Sequence, residues 1–366
     1  MEFIDLKEQY RRYRVEIDDR MRRVLEHGQF VMGPEIAELE AALARYVGVQ
    51  HCLTVASGTV SLEIALRAYG VGPGDEVITV PFSWISSAEV IALVGARAVF
   101  VDVSANDYNL DAAKLEAAIT PRTKAVIPVS LFGQMPDIGK INAVASRHHL
   151  VVIEDAAQSF GATQNGRMSG AVTHVGSTSF FPAKPLGCYG DGGALFTNDQ
   201  AMSEKMRAIR THGGVKRHHH PLLGMNGRFD TLQAAVLLAK LPHLEAELAA
   251  RSSIGARYSE MLNGRCLVPK VGNGNTHVYA QYTIRVANRD ELAEALKAEG
   301  IPTAIYYPKC LHEQPVFHSL GYGWGSFPVS ERVSREVISL PMHPFLSEKE
   351  QDCIVTAVLR HAKPVD

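Results

Sequence analysis

The run EVITVPFSWISSAEVIALVGARAVFV, residues 76–101, fixes the architecture of this chain. Residues 76–80 and 98–101 are short apolar, β-branched runs, and between them residues 85–94 carry apolar side chains at helical spacing. A strand, a helix and a second strand in that order build a mainly parallel sheet covered by helices on both faces. The alternation continues on either side. Strands are expected at 52–55, 125–129, 150–153 and 192–197, with helices at 60–69, 112–119, 138–148 and 199–211. Ahead of them lie helices at 6–27, stopped by Gly28, and 34–46. Helices at 231–240 and 244–262 lead out of this α/β unit. A Gly/Asn-rich stretch at 271–276 precedes a smaller α+β region, with strands at 279–286 and 303–306 and helices at 290–298, 330–338 and 348–359. The expected division is residues 1–243 for the large domain and 244–366 for a connecting helix with the small one. Two domains also suit 366 residues, since single cores stop growing near about 250–300.

Composition narrows the function. With 37 basic and 39 acidic residues the formal net charge is −2, so neither nucleic acid nor an anionic membrane surface is an expected partner, and a small-molecule substrate is. Five scattered cysteines without CxxC spacing argue against a disulfide framework or a zinc site and read as reduced thiols. The first residues lead into an Arg-rich amphipathic helix, and no apolar run of about 18 residues follows anywhere, so a cytoplasmic protein is expected. His218, His219 and His220 are adjacent, which prevents them from sharing one face, and no metal is expected.

The chemistry gathers at strand ends, where open α/β sheets bind ligands. After the strand at 52–55 come Ser57, Gly58 and Thr59 and then a helix, an arrangement suited either to an anion or to simple helix capping. Trp84 follows the strand at 76–80, as a ligand-facing aromatic or ordinary core. Asp155 follows the strand at 150–153, as a functional carboxylate or a cap. Lys184 lies between the apolar Phe180-Phe181 and the glycine-dense Gly187-Cys188-Tyr189-Gly190-Asp191-Gly192-Gly193. A lysine confined there can have a lowered pKa and attack a carbonyl to form a Schiff base; a solvated loop lysine is the alternative. The first βα turn lacks GxGxxG, which argues against a dinucleotide-binding dehydrogenase.

Taken together, Ser57-Gly58-Thr59, Glu154-Asp155-Ala156-Ala157-Gln158, Ser179 through Gly187, Gly190-Asp191-Gly192-Gly193 and Asn226-Gly227-Arg228-Phe229 resemble the DegT/DnrJ-type sugar aminotransferases. These are fold-type-I enzymes that use pyridoxal 5′-phosphate (PLP), and the likeness runs nearly end to end. It implies a seven-stranded, mainly parallel sheet in the large domain. It implies that Lys184 holds PLP as a Schiff base and then shuttles a proton, and that Asp155 keeps the pyridine nitrogen protonated. Ser57, Gly58, Thr59 and Ser179 would hold the phosphate, with Asn226 reaching in from the other subunit of a homodimer. Trp84 would stack on the ring and Gln158 would lie near the ring oxygen.

Within that family the chain resembles enzymes that aminate UDP-2-acetamido-2-deoxy-3-keto-glucuronate in O-antigen and lipopolysaccharide pathways. The resemblance implies L-glutamate as donor, 2-oxoglutarate as its product, and cycling of the cofactor through pyridoxamine 5′-phosphate. Arg228, Tyr306, Tyr307 and His312 match substrate-facing positions, and a bidentate guanidinium at Arg228 suits a uronate carboxylate. Tyr306 departs from the pattern, which has histidine there. Rival readings are a 4-keto-6-deoxy sugar nucleotide 4-aminotransferase and a non-catalytic PLP-binding regulatory protein. A sugar dehydratase of the same fold replaces the lysine with histidine, and Lys184 argues against it.

Overall fold

The computed structural model describes residues 1–365. Along the chain the strands are His51–Val55 (β1), Glu76–Thr79 (β2), Arg97–Phe100 (β3), Thr123–Val126 (β4), Val151–Asp155 (β5), Thr163–Gln164 (β6), Arg167–Met168 (β7), Val175–Ser179 (β8), Gly193–Thr197 (β9), Tyr282–Arg285 (β10) and Val337–Leu340 (β11). Seven of them form one sheet in the order β1-β9-β8-β5-β4-β2-β3. Within this sheet β9 pairs antiparallel with β8 and β1 and the other pairings are parallel, while β10–β11 and β6–β7 form separate antiparallel pairs. The sheet is thus the expected seven-stranded, mainly parallel one. Its interior strands are largely buried, which is why most of them, β8 excepted, read as short apolar runs.

Helices cover both faces and are set by their caps. Leu6–His27 begins at Asp5, whose side chain accepts from Glu8 N, and stops at Gly28 in the left-handed region with φ 71°. Gly58–Ala68 starts at Ser57, Ile138–Arg147 at Asp137 and Gln200–Arg210 at Asp199, each through a side-chain oxygen on a backbone N–H. Leu244–Leu262 joins two cores: Leu244 and Leu248 pack with Phe160 and Phe180 beside the sheet, while Tyr258 and Leu262 pack with Tyr282, Ile338 and Val358 around the β10–β11 pair. Asp102, just after β3, accepts from Val329 N and from Ser330 N and Oγ, tying this second region to the sheet. Among the described residues no helix is long and apolar enough to cross a membrane.

Four local expectations need correction. Strand β8 was not anticipated, because Val-Gly-Ser-Thr-Ser lacks the apolar signature of a buried strand. Residues 303–306 do not form a strand: only Ala304 bridges Ser339, after which Ile305, Tyr306 and Tyr307 pack against the core that holds Ile78, Val80 and Phe82. The helix expected at 330–338 is Pro328–Glu336, and the apolar run after it turns extended to form β11 against β10. The helix expected at 112–119 shortens to Ala112–Leu115 and then tightens to a 3₁₀ turn.

Candidate active site

Because β9 alone is reversed, β1, β2, β5 and β8 end at the same edge, and their ends carry the expected site residues. At β1, Ser57 Oγ accepts from Val60 N at 3.1 Å and opens the helix Gly58–Ala68. A Cβ on Gly58 would lie 2.8 Å from Ser179 Cβ at the end of β8, and one on Gly193 would lie 2.6 Å from the Ser57 carbonyl carbon. Only glycines permit this approach. It sets the helix N-terminus and the Ser179 side chain together as an anion cradle. Thr59 Oγ1 is bound to Ser86 Oγ at 2.7 Å, and Ser179 Oγ accepts from Phe181 N at 3.3 Å.

Asp155 ends β5 and is 9% exposed. Its Oδ1 accepts from Ala157 N at 3.1 Å, whereas Oδ2 meets no donor among the described residues. Burial pushes the Asp155 carboxyl up, opposed by the Ala157 N–H and by the charge of Lys184. Lys184 is half-buried; desolvation pulls its amine below the ordinary lysine value while the Asp155 charge acts in the opposite direction. The two charges feel each other without forming an ion pair within 4.0 Å. Glu154, beside Asp155, points to the opposite face of the strand. There it is sealed by Ser130 Oγ, Ser169 Oγ and Gly170 N.

Trp84 is exposed, with its ring centroid 6.2 Å from that of Tyr307. Tyr307 receives a hydrogen bond from Gln158 Nε2 at 3.0 Å, and Gln158 Oε1 accepts from Phe132 N at 2.8 Å, so the Gln158 amide is oriented by the protein on both sides. Burial raises the Tyr307 phenol. Tyr306 is half-buried with its ring 6.4 Å from Phe3. Asn226 and Arg228 are exposed, and Arg228 Nε donates to Asn226 Oδ1 at 2.9 Å. They border an open cleft of about 550 Å³ that also includes Ala56, Ser57 and Asp191 of the same chain.

His312 is placed differently from the expectation. It is 1% exposed, its Nε2 lies 3.1 Å from Glu331 Oε1 and its ring packs on Phe327, so it does not line the cleft. Sequence reading also missed Lys240, a second lysine with a depressed pKa, held at about 8 by burial. At the end of an apolar helix it reads as an ordinary C-terminal cation. It is sealed, with its amine donating to Gly187 O, whereas Lys184 keeps part of its surface open.

A helix N-terminus packed against the Ser179 side chain, a buried carboxylate with one free oxygen and an amine with a lowered pKa converge on the edge of one sheet. That set fits PLP, which presents a phosphate, a basic ring nitrogen and an aldehyde. Comparison with known proteins agrees. Residues 12–359 match the DegT/DnrJ/EryC1/StrS aminotransferase family. The UDP-2-acetamido-2-deoxy-3-oxo-D-glucuronate aminotransferase of Pseudomonas aeruginosa is 49% identical over 98% of this chain and 99% of its own length. A pleiotropic regulatory protein of Geobacillus stearothermophilus is 46% identical over 97% of this chain and 96% of its own. The crystal structure of S. venezuelae DesV superposes with a TM-score of 0.97 at 39% identity, covering 100% of this chain and 99% of that one. A putative sugar aminotransferase of Streptococcus pneumoniae, solved in its PLP form, superposes with a TM-score of 0.89 at 26% identity over 94% of this chain and 95% of that one. The chain belongs to the DegT/DnrJ/EryC1/StrS aminotransferase family, PLP-dependent enzymes that act on sugar nucleotides.

Proposed function

We propose that this enzyme transfers the amino group of L-glutamate to the 3-keto carbon of UDP-2-acetamido-2-deoxy-3-keto-D-glucuronate, in a pathway that builds bacterial O-antigen or lipopolysaccharide. The observation that carries the catalytic reading is the convergence of Lys184, Asp155 and the Ser57–Ser179 cradle. The high identity to the P. aeruginosa enzyme along the full chain supports the substrate.

In this reading PLP supplies an electron sink for the substrate carbon that loses its proton. Asp155 Oδ2, which lacks a protein donor, would hold a proton on the ring nitrogen. Lys184 Nζ, its charge disfavoured by desolvation, would take the proton from the amino-bearing carbon of the donor and, in the other half of the cycle, deliver one to the acceptor carbon that gains the amine. The backbone N–H groups of Gly58 and Thr59 and the Ser179 hydroxyl bind the phosphate. Trp84 would pack against the cofactor ring, and Gln158, set by Phe132 and Tyr307, would help to hold it. Asn226 and Arg228 act across a homodimer interface, where the exposed Arg228 guanidinium takes the uronate carboxylate. Tyr306 and Tyr307 line the sugar site. His312, buried against Glu331 and Phe327, fixes the Phe327 segment in this reading and does not touch substrate; its burial and its contact with Glu331 support this.

The test is a panel of 3-keto and 4-keto sugar nucleotides, uronate and neutral, assayed with glutamate for the wild type and Arg228→Ala. The 3-keto uronate should be the best substrate, and Arg228→Ala should lose about tenfold or more on uronates alone, the value of one charge-assisted bidentate contact. Equal losses on both sugar classes would remove the carboxylate role from Arg228. Preference for a 4-keto-6-deoxy sugar would replace the substrate assignment.

A further inference from the structure

Residues 182–187 carry Lys184 between Phe180 and Cys188; Leu186 anchors the loop in the same apolar core as those two, but side-chain hydrogen bonds to the loop are sparse. Within it Lys184 N bonds Phe181 O at 2.9 Å, and just beyond it Cys188 N bonds Phe180 O at 2.8 Å. Among the described residues a single side-chain hydrogen bond reaches 182–187, from Lys240 Nζ to Gly187 O. Lys240 is 3% exposed, an expensive place for an ammonium group. Three features offset the cost. The amine sits 5.4 Å over the Tyr189 ring, Glu247 lies within electrostatic reach, and the lysine ends the helix Thr231–Lys240, where the macrodipole favours a cation. Two turns earlier on the same helix, Gln233 Oε1 accepts from Tyr189 N at 2.8 Å. Positions seven apart share a helix face. One face of one helix therefore grips the chain at Gly187 and again at Tyr189.

We propose that Lys240 is a positioning residue for Lys184: its buried ammonium holds the Gly187 carbonyl and thereby sets where the Lys184 amine stands relative to Asp155. This rests on the assignment of Lys184 as the cofactor lysine. Lys240 itself touches neither cofactor nor substrate. A lysine kept only for packing would stabilise the whole domain evenly; one kept for positioning acts on the loop.

Lys240→Met keeps the length and removes the charge and the donor. In the cofactor-free protein, hydrogen exchange of peptides covering 181–189 should quicken by about tenfold or more, the loss of one charge-assisted bond, with exchange in 151–155 unchanged. In the PLP-loaded protein, the pH midpoint of the visible band should move and kcat should fall while KM for the sugar nucleotide holds. Lys240→Gln, which keeps a donor on a shorter arm, should fall between wild type and Lys240→Met in loop exchange. Exchange that rises equally throughout the domain, or a loop and a band midpoint identical to wild type, overturns the proposal. Should Lys240→Met fail to fold, the Gln variant decides by the same criteria. Borohydride reduction followed by peptide mapping separates the two claims: label away from Lys184 in the wild type refutes the Lys184 assignment, whereas label on Lys184 with an unaltered loop in the variants refutes only the role of Lys240.

Discussion

Replacing Gly58 by alanine tests the geometry of the cradle with one methyl group. That carbon would stand 2.8 Å from Ser179 Cβ and 3.4 Å from its Cα. Nonbonded carbons settle at about 3.5–4.0 Å, so the turn and the strand end must part by roughly 0.7 Å or more. Neither yields easily. Gly58 opens a helix packed on the sheet, and Ser179 Cβ is one bond from the backbone of β8, which is paired on both sides by β5 and β9. Overpacking of this kind costs about 1–3 kcal/mol. A cradle opened that far should also give up about 1.4 kcal/mol or more of phosphate binding, a tenfold or greater rise in Kd for PLP. Gly323→Ala is the matched control, since a Cβ there meets nothing within 4 Å. Thermal melts of the cofactor-free proteins give the first quantity, and titration with PLP followed by absorbance gives the second. If Gly58→Ala matches Gly323→Ala in both, the turn and Ser179 do not form a shared phosphate site and the reasoning fails.

Two further predictions concern stability. His277 is buried, stacked on Tyr279 with centroids 4.0 Å apart, and accepts from Tyr279 N at 2.9 Å; burial holds its pKa down at about 3. The unfolded chain takes up this proton near 6.5 while the native state resists until about 3, so stability falls as the pH drops through that window. Between pH 7.5 and 4.5 the contribution is about 2–3 kcal/mol. Chemical denaturation should show a shallower acid loss for His277→Gln than for the wild type, and parallel slopes would contradict this. Glu331, 2% exposed, accepts from His312 Nε2, Gly325 N and Phe327 N. Glu331→Ala strands these donors and should cost at least about 2–4 kcal/mol in melting experiments, and an unchanged melting temperature would mean that the carboxylate is dispensable.

The large sheet was legible because its parallel strands are largely buried and most of them stand out as short apolar runs between helices. Strand β8 escaped notice because its inner residues, Gly176, Ser177 and Thr178, are small; Gly176 passes so near Gly170 that a Cβ would lie 2.3 Å from its backbone. Close approach selects small residues, and small residues look like loop. The expected helix at 330–338 takes in the first two residues of β11, since Val337-Ile338-Ser339-Leu340 is too short to carry a decisive period and only its pairing with β10 makes it a strand. Of the proposed site residues, Ser57 and Asp155 stand out in the sequence because each follows an expected strand and Lys184 because it lies between Phe180-Phe181 and a glycine-dense turn, whereas Ser179 is reached only through the family resemblance. His312 was misplaced because nothing local announces Glu331, nineteen residues on, as its partner. Lys240 went unseen because its partner is a backbone carbonyl, which has no sequence signature.

The central claim is that Lys184 is the amine through which this aminotransferase works. Purified protein loaded with PLP should show a visible band that disappears on adding L-glutamate. Borohydride reduction before glutamate should fix the label on Lys184 by peptide mapping, and Lys184→Ala should fold yet take no label. A label on Lys240 or any other lysine, or a band that no amino donor discharges, would contradict the account.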